Sequence, residues 1–382
     1  MSSYFTQQTH GMKHMTNELQ PAEHIQPMQP YVPGMSFEKL AELYNHDPRD
    51  IIKLASNENP HGCSPVIQSA INHAAATLNR YPDQGRLTEA LAQFYGVEQN
   101  QITIGNGSND VLDLVARAFL DADSEAISSE YGFIVYRLAT QMTGAKNVFT
   151  KDTPTYTHDL DEMKNAITEK TRVIWIANPN NPTGTLLTNQ QLRLFIETVP
   201  SNIVIVLDEA YYEYLPKNQA SDSLRWVEQH PNLVVVRTFS KIYGLAGLRV
   251  GYAIASSKIT ELLNRVRQPF NVSGVALAAA EAALSDQAFV KDSFRANQEG
   301  KQQLEQGLTH MGYEFITSSA NFVAVQFSDP EACKQFLLSR GIIVRPIKEY
   351  GLPQHLRITI GSSKENEALL AALKDFSKNS QP

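Results

Sequence analysis

The chain has 382 residues, of which 42% are hydrophobic and 19% charged, so it can bury a sizeable core and is not globally disordered. A formal net charge of −7 without basic runs argues against nucleic acid or an anionic membrane surface as a partner. Its two cysteines, Cys63 and Cys333, are typical of a reducing compartment rather than of a disulfide framework. The sequence lacks an apolar run long enough to span a membrane and lacks the features of a signal peptide, so we expect a cytoplasmic protein.

Strand and helix patterns alternate along most of the chain. Residues 1–30 form a predicted polar arm, and an amphipathic helix is predicted at 37–44. Short runs rich in Val and Ile predict buried strands at 101–104, 172–177, 203–207, 233–237 and 250–255, with amphipathic helices at 109–120 and 188–198. Long amphipathic helices and alternating strands at 321–327 and 356–360 follow residue 286.

This alternation predicts an α/β protein. We expect a large domain, residues 57–285, whose mainly parallel central sheet is flanked by helices. A smaller α+β domain is expected to combine residues 31–56 with 286–382. No internal repeat is visible, which argues against solenoids and propellers.

The string VRTFSKIYGLAGLRVGY at 236–252 contains the strongest chemical signal. Ser240 and Lys241 follow a strand end, the place where open α/β sheets bind ligands. A partly desolvated lysine there has a lowered pKa and can attack an aldehyde. The Ser240 hydroxyl and the Arg249 guanidinium both suit a phosphate.

A second string, VIVLDEAYYEY at 204–214, ends its strand at Asp208. A buried carboxylate needs a cationic partner, and a protonated pyridine nitrogen would serve. Tyr211, three residues later, can donate to a phenolate. Taken alone, the string is also compatible with a Mg²⁺ ligand or a solvated strand end.

Two loops add polar groups. In ANPNNPTGTLL at 177–187, Asn181 can bond a ring oxygen, although the string also suits a simple turn. In TIGNGSNDVLDLV at 103–115, the N–H groups of Gly107, Ser108 and Asn109 can cradle a phosphate. That turn lacks both the third glycine of a dinucleotide fingerprint and the GK[ST] of a Walker A loop.

A phosphate cup, a ring partner, an acid for a ring nitrogen and a lysine for an aldehyde together describe pyridoxal 5′-phosphate. With KLASNENP at 53–60, LNRYPD at 78–83, NPNNPTG at 178–184 and LRITIG at 356–361, the chain resembles the aspartate-aminotransferase-like pyridoxal phosphate enzymes over nearly its whole length from Tyr31. More narrowly, it is similar to the histidinol-phosphate aminotransferases. The resemblance implies the fold of the pyridoxal phosphate-dependent transferases.

The resemblance also implies a role for each matching residue. Lys241 would bond the cofactor aldehyde, Asp208 the pyridine nitrogen, Asn181 and Tyr211 the ring hydroxyl, and Ser240, Arg249 and residues 107–109 the phosphate. Tyr131 matches the aromatic residue stacked on the ring, and Tyr81 a tyrosine that reaches the phosphate from a neighbouring subunit. Arg357 and Arg345 match contacts to the acidic groups of the substrate, and Tyr31 and Asn57 match other substrate-side positions.

The implied reaction moves an amino group between glutamate/2-oxoglutarate and histidinol phosphate/imidazole acetol phosphate in histidine biosynthesis. Lys241, Asp208 and Tyr211 would be its catalytic residues, in a homodimer with shared active sites. No metal site is expected, because the sequence has no HExxH and no Cys/His pairing at ligand spacing.

Three alternatives stay open: an aromatic-amino-acid aminotransferase, a decarboxylase of a phosphorylated amino acid and a non-enzymatic regulator, each binding the same cofactor.

One departure from the family is Cys63 in HGCSP, where a Gly-Pro is usual, and we expect it to alter only the local loop.

Overall fold

The strands form two sheets, and helices pack around both. The structure is a computed structural model that describes residues 19–30 and 34–379. The strands are β1 (Ile52–Leu54), β2 (Ile102–Gly105), β3 (Glu125–Ser129), β4 (Lys146–Thr150), β5 (Thr171–Ala177), β6 (Val204–Asp208), β7 (Leu233–Thr238), β8 (Gly251–Ala255), β9 (Phe315–Ile316), β10 (Phe322–Gln326), β11 (Ile342–Pro346) and β12 (His355–Thr359).

The described α-helices lie between these strands and at both ends of the described chain. They are α1 (Phe37–Tyr44), α2 (Val66–Ala75), α3 (Gly85–Tyr95), α4 (Ser108–Phe119), α5 (Ile134–Met142), α6 (Leu160–Asn165), α7 (Asn189–Thr198), α8 (Ser223–Gln229), α9 (Ser257–Val266), α10 (Gly274–Ser285), α11 (Gln287–His310), α12 (Pro330–Ser339) and α13 (Ser363–Asn379).

The larger sheet has seven strands in the order β2-β8-β7-β6-β5-β3-β4. Its strands are parallel except β8, which runs antiparallel to both of its neighbours. Along β5, Val173 and Trp175 pack into one buried cluster while Ile174 and Ile176 pack into another. Both faces of the sheet are therefore covered, which explains why its central strands are continuous apolar runs. The predicted α/β fold class is confirmed.

The smaller sheet has the order β1-β11-β12-β10-β9 and joins distant parts of the chain. Strand β1 pairs in parallel with β11, whereas β11, β12, β10 and β9 pair antiparallel. Helices α11, α12 and α13 pack against it through a third buried cluster, which includes Leu304, Leu337 and Leu369.

Residues 55–57 connect the two sheets. They follow β1 of the smaller sheet, and their polar groups bond to Arg357 and Thr359 of β12. They also bond to Tyr211 and Lys241, which follow β6 and β7 of the larger sheet. These bonds, with that from Arg357 to Asn181, hold β12 near the carboxyl ends of β5, β6 and β7.

Within residues 19–30 and 34–379, no helix is both long and apolar enough to cross a membrane. Residues 19–30 hold one turn and are mostly exposed. Tyr31 lies outside the described residues.

Candidate active site

A cavity with an empty volume of about 890 Å³ lies between the two sheets. The carboxyl ends of β5, β6 and β7 form its floor, as expected for open α/β sheets. Eleven of the predicted site residues line it: Asn57, Ser108, Asn109, Asn181, Asp208, Tyr211, Ser240, Lys241, Arg249, Arg345 and Arg357.

Lys241 lies three residues beyond the end of β7. Its Nζ donates to the carbonyl of Ser56 at 3.1 Å and lies 5.7 Å from the centre of the Tyr211 ring. Burial, with the positive charges of Arg357 and Arg249 as further causes, lowers the pKa of Lys241 from 10.5 to about 7. An uncharged amine is therefore available near neutral pH.

Asp208 is the last residue of β6 and is buried. One carboxylate oxygen accepts from the hydroxyl of Tyr136 at 2.8 Å, and the other accepts from the backbone N–H of Ala210 at 3.1 Å. Burial raises the pKa of Asp208 to about 6, although these two donors favour its charged form. A cation that faced this carboxylate inside the cavity would be strongly stabilised.

The Tyr211 hydroxyl accepts from the side-chain amide of Asn57 at 2.9 Å. The backbone N–H of Asn57 in turn donates to Thr359 of β12 at 2.9 Å, so the smaller sheet helps to hold this phenol in place. Burial raises the pKa of Tyr211 to about 12, which keeps its proton available as a donor.

An anion cup lies at the start of α4. Gly107 precedes the helix with φ 83° and has no side chain to cap it. A Cβ on Gly107 would stand 2.3 Å from a guanidinium nitrogen of Arg249, so a side chain there would push that guanidinium aside, and the positive φ also favours glycine. The same guanidinium donates to the Ser240 hydroxyl at 3.2 Å. A helix amino terminus, a hydroxyl and a guanidinium thus converge on one place.

Two arginines from the smaller sheet face this floor. Arg357 donates to the side-chain oxygen of Asn181 at 2.6 Å and to the carbonyl of Ala55 at 2.9 Å. Its buried Nε has no hydrogen-bond partner. Arg345, also buried, forms an ion pair with Glu349.

Tyr131 is not part of the cavity wall, which corrects the expected stacking position. Its ring contacts the ring of Tyr156 and lies against Gly351, whereas Phe133, two residues later, lines the cavity. The string SSEYGFIVY offers three aromatic residues, Tyr131, Phe133 and Tyr136, and the last two line the cavity whereas Tyr131 does not.

Sequence reasoning also missed Tyr136, whose hydroxyl holds Asp208. The ring of Tyr136 stacks on Trp175, with centroids 5.4 Å apart and planes inclined by 3°. The spacing of aromatic residues at 133 and 136, one helical turn apart, was the available signal.

Tyr81 lies away from the cavity of its own chain. The residue is 81% exposed, and its ring stacks on that of Phe270 at a centroid distance of 4.4 Å. Such an exposed aromatic pair is available to a second molecule.

The donor set fits pyridoxal phosphate. The cup of Gly107, Ser240 and Arg249 suits its phosphate, the buried carboxylate of Asp208 suits a protonated ring nitrogen, and Lys241 offers an amine to the aldehyde. The described part of the chain holds no group of three or more His, Cys, Asp or Glu side chains arranged for a metal ion.

Comparisons with known proteins agree with this geometry. The family model for aminotransferases of class I and II matches residues 49–373. Histidinol-phosphate aminotransferase 1 from Dechloromonas aromatica is 49% identical over 355 residues, covering 93% of this chain and 98% of that protein. Histidinol-phosphate aminotransferase 2 from Pseudomonas aeruginosa is 48% identical, covering 91% of this chain and 95% of that protein.

Among solved structures, the histidinol-phosphate aminotransferase from Sinorhizobium meliloti in complex with pyridoxal 5′-phosphate superimposes with a TM-score of 0.87. It is 27% identical in sequence, and the match covers 96% of this chain and all of that one. The predicted transferase fold is confirmed. The chain belongs to the class I and II aminotransferase family.

Proposed function

We propose that this protein transfers an amino group between glutamate/2-oxoglutarate and histidinol phosphate/imidazole acetol phosphate, using pyridoxal phosphate. The observation that carries the proposal is a buried lysine of lowered pKa that shares one cavity with a buried carboxylate, an anion cup and two arginines. Relatives 48% and 49% identical over nearly their whole length bear the name of this reaction.

Bound pyridoxal phosphate supplies an electron-withdrawing ring that takes up the charge left on the substrate when a proton leaves its α-carbon. Lys241 is the group that would remove that proton and return it at a neighbouring carbon, because its pKa of about 7 lets the amine both accept and release a proton near neutral pH. The Ser56 carbonyl accepts a hydrogen bond from Nζ and so restrains the amine just beyond the carboxyl end of β7.

The buried carboxylate of Asp208 would stabilise a protonated ring nitrogen of the cofactor. Tyr211 and Asn181 would bind the ring hydroxyl, Phe133 would stack on the ring, and Ser240, Arg249 and residues 107–109 would hold the phosphate. These contacts fix the cofactor so that only the substrate end of the cavity changes between the two half-reactions.

Arg357 and Arg345 select the substrate. Each half-reaction brings an anion, a carboxylate of glutamate or the phosphate of histidinol phosphate, and planar guanidinium groups suit both. Asn57 supports this end of the cavity, and Tyr31 stays a proposed contact outside the described residues.

The test is a glutamate-dependent assay of the pure protein with imidazole acetol phosphate and with phenylpyruvate as acceptors. Preference for the phosphorylated acceptor supports the proposal, whereas preference for phenylpyruvate indicates an aromatic-amino-acid aminotransferase. Release of CO₂ from a phosphorylated amino acid would indicate a decarboxylase instead.

We further propose a homodimer in which Tyr81 reaches the anion cup of the partner subunit. The exposed Tyr81–Phe270 stack supports this, since an aromatic pair left in water gains from burial against a second copy.

The division into a large domain of residues 57–285 and a small one of 31–56 with 286–382 is proposed as well, and the separate sheets support it. Two unpaired cysteines, Cys63 and Cys333, support a cytoplasmic location.

A further inference from the structure

The two arginines of the cavity have different electrostatic partners. Arg345 on β11 and Arg357 on β12 are directly opposite in the antiparallel register, so their side chains leave the same face of the sheet. Like charges in such positions repel one another. Arg357 donates to neutral oxygens of Asn181 and Ala55, whereas Arg345 is bound to the carboxylate of Glu349.

Glu349 is held beside Arg345 by the turn that carries it. It lies in a short 3₁₀ helix of one turn, Lys348–Tyr350, just after β11. Tyr350 anchors this turn because its buried side chain lines the cavity. The side chain of Glu349 is 36% exposed, while that of Arg345 is 11% exposed. The carboxylate can therefore rotate into water while the guanidinium stays in the cavity wall.

We propose that Glu349 is a specificity-determining residue, which occupies the Arg345 guanidinium until the distal anion of a substrate displaces it. The inference rests on the proposed function, because it assumes that Arg345 binds that anion. A substrate with a neutral side chain leaves the ion pair intact. Glu349 therefore weakens the binding of anionic substrates relative to neutral ones, and it acts through the position of Arg345.

The test compares two unreactive probes of equal length, glutarate and pentanoate, which differ only in the second carboxylate. Binding of each to the holoenzyme is measured by calorimetry at low ionic strength, where screening is weak. In Glu349→Gln, the ratio of glutarate to pentanoate affinity should rise about three- to fivefold, the size expected of a partly exposed ion pair. The KM for glutamate should fall by the same factor with kcat unchanged.

Two controls separate this role from a structural one. Glu197→Gln removes a comparable i,i+4 partner, that of Arg193, from the exposed face of α7, and it should change neither affinity. In an Arg345→Gln background, Glu349→Gln should no longer alter the affinity ratio.

An unchanged ratio in Glu349→Gln, or a ratio that still rises without Arg345, overturns the proposal. An equal change for both probes overturns it too, since that indicates a general distortion of the cavity. Failure of the proposed function is seen separately, as a wild-type holoenzyme that neither binds glutarate nor uses glutamate, and that result overturns both.

Discussion

Single side chains of this site owe their chemistry to where the backbone buries them. Lys241 and Asp208 carry opposite charges in water, yet burial moves the pKa of each toward neutrality, to about 7 and about 6. Near neutral pH the Lys241 amine can therefore lose its proton, whereas Asp208 stays mostly ionised above about pH 6.

Replacing Lys241 with alanine should abolish turnover, because among residues 19–30 and 34–379 no other lysine lines the cavity. The cofactor should still bind through the anion cup, but dialysis should remove it. Lys301→Ala is the matched control, since Lys301 also donates to a backbone carbonyl, at 3.0 Å, away from the cavity. Substantial turnover in Lys241→Ala would contradict the assignment.

The lowered pKa of Lys241 predicts how cofactor capture depends on pH. An amine attacks an aldehyde only when uncharged, so the rate at which apoenzyme binds pyridoxal phosphate covalently should rise with pH and reach half its maximum near pH 7. Visible absorbance follows the reaction, and Nα-acetyl-lysine in solution serves as the reference. A midpoint close to 10.5, the ordinary value, would be incompatible with a buried amine.

Tyr136→Phe should shift the acid side of the pH–rate profile upward by about one to two pH units, because a hydrogen bond to a charged group contributes about 1.5–3 kcal/mol. The change removes a donor that stabilises the ionised form of Asp208, so the pKa of that carboxyl rises further. Tyr313→Phe, a partly buried tyrosine far from the cavity, is the control. A lower rate with an unmoved profile would mean that Tyr136 only fills space.

At the scale of elements, the apolar pattern predicted β2, β5, β6, β7 and β8 of the larger sheet but not β3 and β4. The predicted strand at 203–207 differs by one residue at each end from Val204–Asp208. The prediction did not include β3, Glu125–Ser129, because its sequence EAISS looks solvent-exposed, although all five residues are buried. Thr168 and Lys146 satisfy the Glu125 carboxylate there, and such partners depend on tertiary structure.

The site shows the same limit. Strand ends and loop strings indicated Asp208, Lys241 and Arg249 from local pattern alone. The inward turn of Phe133 and the bond from Tyr136 to Asp208 depend on how α5 packs on the sheet, so sequence reasoning did not find them.

The contact between α4 and β8 predicts the effect of one added methyl group. A Cβ on Gly251 would stand 2.3 Å from the backbone nitrogen of Ser108, so Gly251→Ala must push the first turn of α4 away. We expect a loss of about 1–3 kcal/mol of stability and weaker cofactor binding. Thermal unfolding and cofactor titration measure these effects.

The matched control is Gly247→Ala, because a Cβ there meets nothing within 4 Å. If Gly251→Ala bound the cofactor as tightly as Gly247→Ala, the anion cup would not depend on the start of α4.

At the scale of the whole molecule, the proposed dimer makes two chains share each site. Chains carrying Lys241→Ala, mixed with chains carrying Tyr81→Phe, should form heterodimers with one complete site. Activity at limiting cofactor should therefore rise above that of either parent. The second site of each heterodimer lacks both groups and stays inactive.

If Tyr81 acted within its own chain, each site of a heterodimer would carry one of the two substitutions, and mixing would restore no activity. A flat result, with subunit exchange verified by a separate tag, would reject shared sites.

The connection at residues 55–57 also constrains how the enzyme is made. Asn57 bonds to Thr359, 302 positions later in the chain, and Arg357 bonds to the carbonyl of Ala55. During synthesis the seven-stranded sheet can form long before those partners leave the ribosome. The cavity is thus completed only when translation is nearly finished. A chain that terminates before residue 357 lacks both Arg357 and the bond that holds Asn57, so premature termination yields no partly active enzyme.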